Sequence, residues 1–174
     1  MPLYEVEHIC PLTVSQQDEL AAAITKIHTE KFTAPALFVN VRFTNISEQI
    51  TYVGGKRRQT NRILAHVRHG PSRTQDDYAD LCSKITKVWD ATVPLPRHPF
   101  NATGKVDVEL RAIFVLGDIV AGMEAGFVLP EAGKDVQWFK ENMVAFKKKA
   151  EDGDDEFQDM VAEIERRGLI KNGS

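Results

Sequence analysis

Cysteine is scarce in this chain. Cys10 and Cys82 are the only two in 174 residues, and their separation suits neither a metal site nor a disulfide framework, so free thiols are expected. No apolar run approaches the roughly 18 residues of a membrane-spanning helix. The start of the chain lacks a basic segment followed by an apolar one, which argues against a signal peptide. With no secretory route, the acceptor pattern Asn101-Ala102-Thr103 is read as coincidence. Excess charge is lacking as well: 22 basic residues against 25 acidic ones leave a formal charge of -3. That balance offers no electrostatic surface to nucleic acid or to an anionic membrane. A Ser-His-Asp pattern, a phosphate-cradling glycine loop and a metal-ligand cluster are likewise missing. The expectation is a cytoplasmic, soluble protein with no nucleic-acid, membrane or metal partner.

What the chain does have is enough apolar residue, 43%, to build one domain around a real core. It also has proline at position 2. Methionine ahead of a small residue is normally trimmed, which would leave Pro2 with a free secondary amine. Burial disfavours the charged form of an amine and brings it toward the range of a general base at neutral pH.

From Leu3 to Ile9 the side chains alternate, with Tyr4, Val6 and His8 on one side and Leu3, Glu5 and Glu7 on the other. This is the period of a half-buried strand. Ser15 with Asp18 has capping-box spacing, and Leu20, Ala23, Ile24, Ile27 and His28 form a helical stripe ending near Lys31. A second alternating run, Leu37 to Phe43, gives the next strand. After a turn at Tyr52-Val53-Gly54-Gly55 the order repeats. Ile63 to Arg68 reads as a strand, Thr74 with Asp77 as a cap, and Tyr78, Leu81, Cys82, Ile85 and Trp89 as a helical stripe. A proline-rich insertion from Val93 to Gly104 leads to a closing strand at Val108 to Leu116.

Two strand-helix-strand units, about residues 2–45 and 61–117, point to an internal duplication. The fold class is therefore α+β: two fused β-α-β units forming a four-stranded sheet with two helices on one face, and a C-terminal helical tail. The other sheet face needs a cover, and further copies of the chain are the simplest one. The main domain is placed at 1–139 and the extension at 140–174. The glycine-rich stretch after Gly117, up to Trp138-Phe139, is expected to hold loops and a short hairpin rather than a helix. A final helix is expected with Phe157, Met160, Val161 and Ile164 inside. The Lys147-Lys148-Lys149 run and the acidic patch from Glu151 to Glu156 read as solvated surface.

Four further residues have chemistry to offer. His28 stands where the second helix has Trp89. It either closes the apolar stripe or, near a helix C-terminus whose dipole favours a cation, holds a proton or donates to a substrate oxygen. Arg68 and Arg73 flank a short loop; they are either exposed or paired on a carboxylate, to which guanidinium is matched. Glu124 between glycine-rich turns is either solvated or a general base for water.

Taken together, Met-Pro-Leu-Tyr at the start, Ala23-Ile24-Thr25 before His28, Tyr52-Val53-Gly54-Gly55, the Arg68–Arg73 loop, and Glu124-x-Gly126-x-x-Leu129-Pro130-x-x-Gly133 before Trp138-Phe139 resemble the tautomerase superfamily. The similarity is to the branch of cis-3-chloroacrylic acid dehalogenase, over roughly Pro2 to Phe139. The resemblance implies Pro2 as general base or acid at carbon, His28, Arg68 and Arg73 as binders of a substrate carboxylate, and Glu124 as activator of water. It further implies a homotrimer acting on small carboxylates with neither metal nor organic cofactor. The expected activity is keto-enol tautomerisation or hydration of an unsaturated or 2-oxo acid. Four residues separate the two arginines where the family has two. Phe114 and Val115 stand where the dehalogenase has a tyrosine, which argues against dehalogenation. A trimeric binding module that kept the fold and lost the chemistry is the alternative.

Overall fold

The alternation of Leu3–His8 is realised as β1, whose residues switch strictly between half-buried and buried. In this computed structural model, which describes residues 1–93 and 107–170, β1 is an inner strand of a four-stranded sheet. Helix α1 (Val14–Phe32) follows, then a single 3-10 turn at Ala36–Phe38 and strand β2 (Asn40–Asn45). The short strands β3 (Tyr52–Val53) and β4 (Lys56–Arg57) make a hairpin, and β5 (Asn61–His66), α2 (Gln75–Thr92) and β6 (Leu110–Leu116) complete the second unit. A second hairpin, β7 (Met123–Glu124) with β8 (Phe127–Val128), precedes α3 (Asp135–Glu151) and α4 (Asp155–Arg166).

The sheet order is β2-β1-β5-β6. Each unit pairs its own strands in parallel, and the units meet antiparallel at β1 and β5. The duplication extends to the hairpins, one after each unit. Their turns take the left-handed conformation at Gly54 and Gly55 in the first and at Ala125 and Gly126 in the second. Tyr4, Val6, Ile63 and Ala65 from the sheet meet Leu20 and Ile24 of α1 and Leu81, Ile85 and Trp89 of α2 in one core. The other sheet face presents the Glu5–Arg42 pair at 2.6 Å, the Glu7–Arg62 pair, and Leu64 beside Phe114, which is 52% exposed.

Asn61 joins the two units. Wholly buried, it accepts from the backbone N–H groups of Ile9 (2.8 Å) and Cys10 (3.3 Å), and donates to the carbonyls of Asp107 (2.9 Å) and Glu109 (3.0 Å). Two bonds each on oxygen and nitrogen use the full capacity of the amide.

The sequence-based expectations are shifted at several points. Thr13 with Gln16 caps α1 in place of Ser15 with Asp18, while Thr74 with Asp77 caps α2 as anticipated. The expected strand at Leu37 begins only at Asn40, because Phe38 turns away from the sheet into a second core. Strand β5 closes at His66, so Arg68 lies beyond its end rather than in it. The third helix was not anticipated. The glycines stop at Gly133, and Trp138, Phe139 and Phe146 then bury one face of α3, which runs without a break through residue 139. Helix α4 buries Phe157, Met160 and Ile164 and packs on α3. Most of the proline-rich insertion and Asn101-Ala102-Thr103 lie outside the described residues. No described helix is long and apolar enough to cross a membrane.

Candidate active site

Pro2 is buried at the head of β1, and its carbonyl accepts from the Asn40 N–H at 3.1 Å, extending the β1–β2 ladder. Met1 therefore projects from an inner strand into the space beyond the sheet. Burial lowers its amine from 8.0 to about 5. Arg68 and Arg73 push in the same direction, while Asp135 and Glu124 oppose them. These four charges and the amine thus occupy one locality, drawn from both units and from α3.

His28, in the last turns of α1, is 1% exposed and shares a 2.8 Å hydrogen bond at Nδ1 with the Tyr4 hydroxyl. Burial first, then the charges of Arg73, the chain's amino group and Arg68, lower it from 6.5 to about 3. At neutral pH the ring is uncharged. The helix dipole, which favours a cation here, is outweighed by desolvation. Burial raises Tyr4, so its hydroxyl keeps its proton.

The two arginines have different surroundings. Arg73 sits just ahead of α2, donating from Nη1 to the Arg68 carbonyl at 2.7 Å with its guanidinium 4.3 Å above the Phe32 ring. Arg68 is held by α3 and the loop before it. Its Nη2 donates to Asp135 Oδ1 at 2.6 Å and its Nη1 to the Pro130 carbonyl at 2.6 Å. Arg68 and Asp135 are 6% and 4% exposed, and Arg68 Nε and Asp135 Oδ2 have no partner among the described residues.

Glu124, at the turn of the second hairpin, accepts from Asn40 Nδ2 at 3.2 Å through Oε1, while its buried Oε2 has no partner among the described residues. Burial raises its pKa, only partly offset by the Asn40 bond and the nearby amino group. Phe114 lies on the outer face of β6 and Val115 packs against the core, so neither brings a hydroxyl to this locality.

The five residues singled out from the sequence, Pro2, His28, Arg68, Arg73 and Glu124, thus gather around the amino terminus. Sequence reasoning missed Asp135, Asn40 and the Tyr4 hydroxyl. Tyr4 stood in the opening motif but was assigned only to a strand face. Asp135 gave no signal, because only the fold carries α3 back to Arg68. Beside Met1, Ala34, Pro35, Phe38, Leu129, Pro130 and Trp138, together with the Arg68–Asp135 pair, enclose only about 10 Å³ of free space. With Met1 in place the cleft is full.

A duplicated strand-helix-strand domain with a proline-led inner strand defines a protein of the tautomerase fold. Residues 1–143 match the family described as "Putative oxalocrotonate tautomerase enzyme", and the chain belongs to that family within the tautomerase superfamily. Among solved structures, native Ps01740 is 25% identical, spanning 70% of this chain and 99% of its own at a TM-score of 0.51. N1, a member of the cis-3-chloroacrylic acid dehalogenase family, is 22% identical over 86% of this chain and 99% of its own, with a TM-score of 0.61. A fused 4-OT asymmetric trimer is 16% identical over 72% and 94%, with a TM-score of 0.54. No curated protein matches the chain.

Proposed function

We propose that the protein, once Met1 is trimmed, is a tautomerase-like enzyme in which the Pro2 nitrogen moves a proton at carbon on a small unsaturated or 2-oxo carboxylic acid. The observation that carries this reading is the convergence of His28, Arg68, Arg73 and Glu124 on the buried amino terminus. The burial and the arginine charges that lower the Met1 amine would also disfavour the charged form of a Pro2 amine one residue further in. In the enolising direction Pro2 takes the proton from C3. The C–H pair becomes the C2=C3 double bond, and the carbonyl oxygen gathers negative charge. The neutral His28 ring, with its proton on Nε2 and Tyr4 donating to Nδ1, stabilises that oxygen by donation. Arg73 binds the substrate carboxylate, with Arg68 behind it. The proton held by Pro2 then passes through water to that oxygen to complete the enol. Ketonisation is the reverse, the enol hydroxyl proton passing to Pro2 and from Pro2 to C3, without metal or organic cofactor.

Hydration of an unsaturated acid would use Oε2 of Glu124, unpartnered among the described residues, to orient water, burial having raised its pKa and made the carboxylate a stronger base. Dehalogenation lacks support, since Phe114 and Val115 offer no hydroxyl. A homotrimer would cover the outer sheet face, where Leu64 and Phe114 lie side by side. That arrangement accords with the trimeric state of the fused 4-OT structure.

A second reading, a trimeric binding module without chemistry, draws on the engagement of Arg68 by Asp135. Ketonisation of phenylenolpyruvate, followed by ultraviolet absorbance with wild type and Pro2→Ala side by side, separates the two. Acceleration that is lost in Pro2→Ala supports the enzyme. Equal rates in the two proteins support the module.

A further inference from the structure

A prolyl nitrogen has three bonds to heavy atoms, two to its own ring and one to the preceding carbonyl carbon. When Met1 leaves, the nitrogen becomes a pyramidal secondary amine whose hydrogen and lone pair both project to the side that Met1 occupied. Met1 therefore stands where a substrate must stand to exchange a proton with Pro2, and the groups around Met1 are the groups around that substrate. They are of two kinds.

The first kind is charged. Two guanidiniums, Arg68 and Arg73, and two carboxylates, Asp135 and Glu124, act on the amino terminus, and Arg68 and Asp135 line the cleft that holds Met1. Asp135 lies outside the motifs of the proline-led core, and it takes Arg68 in a buried pair at 2.6 Å. The locality is thus close to neutral, with Arg73 the guanidinium not matched by a carboxylate. One substrate carboxylate has a partner; a second has none, and desolvating it unpaired is unfavourable.

The rest of the cleft is an apolar slot. The Met1 side chain packs against the second core, which includes Phe38, Trp138 and Phe146, with Phe127 beside them. The Trp138 indole N–H is already spent on the Val128 carbonyl at 2.8 Å. The tryptophan therefore offers the slot its ring and no hydrogen-bond donor.

We infer that the substrate is a monocarboxylic 2-oxo acid bearing an apolar substituent of about methionine or phenyl size, seated in the slot that the Met1 side chain now fills. The inference rests on the reading of Pro2 as the proton-transfer group. It assigns the C-terminal helices a part in choosing substrate, since α3 supplies both Asp135 and Trp138.

The test uses the trimmed full-length protein and three 3-substituted pyruvates that share one reacting group: phenylpyruvate, 4-methyl-2-oxopentanoate and oxaloacetate. Expected is a kcat/KM at least about tenfold higher for the first two than for oxaloacetate, the scale on which an apolar pocket discriminates. Filling the slot by Ala34→Leu, or from the opposite wall by Leu129→Phe should Ala34→Leu not fold, is expected to reduce this preference. Independently of turnover, 3-phenylpropionate is expected to change the fluorescence of wild type but not of Trp138→Phe, and succinate to change neither. Preferential turnover of oxaloacetate that still depends on Pro2 would overturn the inference and leave the proposed chemistry standing. If no substrate is turned over, the proposed chemistry fails and the fluorescence comparison decides the slot by itself: succinate binding in preference to 3-phenylpropionate would overturn it.

Discussion

Arg68 and Asp135, 67 residues apart in sequence, meet through Nη2 and Oδ1 at 2.6 Å with almost no exposure to solvent. The pair fastens the start of α3 to the arginine loop, and removing either partner leaves the other charge buried and uncompensated. Asp135→Ala is expected to cost about 3–5 kcal/mol. The double variant Arg68→Ala/Asp135→Ala is expected to cost less than the sum of the two single changes. Urea unfolding of the four proteins measures the coupling, and strict additivity would show that the pair is not a unit.

Met1 fills the cleft in which Pro2 must work, so a preparation retaining Met1 is expected to be inactive toward phenylenolpyruvate. Refolding from urea in the presence of a methionine aminopeptidase should restore activity in proportion to the trimmed fraction seen by intact mass. Full activity in untrimmed protein would exclude the Pro2 nitrogen as the base, because its lone pair is then part of an amide.

The neutral, buried His28 makes stability depend on pH. Its folded value of about 3 lies below the ordinary 6.5, so between these values the unfolded chain binds a proton that the folded chain refuses. The contribution is fully present above pH 6.5 and is lost progressively as pH falls toward 3, at up to about 1.4 kcal/mol per unit. Urea midpoints across this window are expected to fall less steeply in His28→Asn than in wild type. Equal slopes would mean that the histidine is not held neutral.

Asn61 satisfies four backbone groups at the junction of β1, β5 and the lead into β6. Asn61→Leu leaves two buried donors and two carbonyls without partners, and a loss of about 3 kcal/mol or more in unfolding free energy is expected. A change under about 1 kcal/mol would indicate that water replaces the amide.

Legibility from sequence followed the range of the interactions. Strand alternation at Leu3–His8 and the stripes of α1 and α2 are local patterns, and they gave the sheet, the helices and the duplication. The cap at Thr13 was misplaced by two residues because Ser15 with Asp18 has the same spacing, and only packing selects between them. Phe38 looked like a strand residue until a second core, built from chain more than a hundred residues later, claimed it. Within the site, the residues of the opening motif, the arginine loop and the second hairpin were readable because each carries its own local signature. Asp135 was not, since an aspartate after a glycine turn is indistinguishable from a helix cap until α3 is seen against Arg68. The charge state of His28 was left open for a related reason: the dipole is a property of its helix, whereas desolvation is a property of the whole core.

Because β1 is an inner strand, flanked by β2 on one side and β5 on the other, the first residues of the chain have no finished place to dock until His66 has been synthesised. At about 5–20 residues per second this is a delay of several seconds, during which Met1 is open to the aminopeptidase. Once β5 pairs with β1 and α3 closes over the arginine loop, Met1 is enclosed. On the proposed role of Pro2, trimming would then be a race against folding, and the fraction of working enzyme in a cell would be set by translation speed and aminopeptidase supply as much as by the amount of protein made.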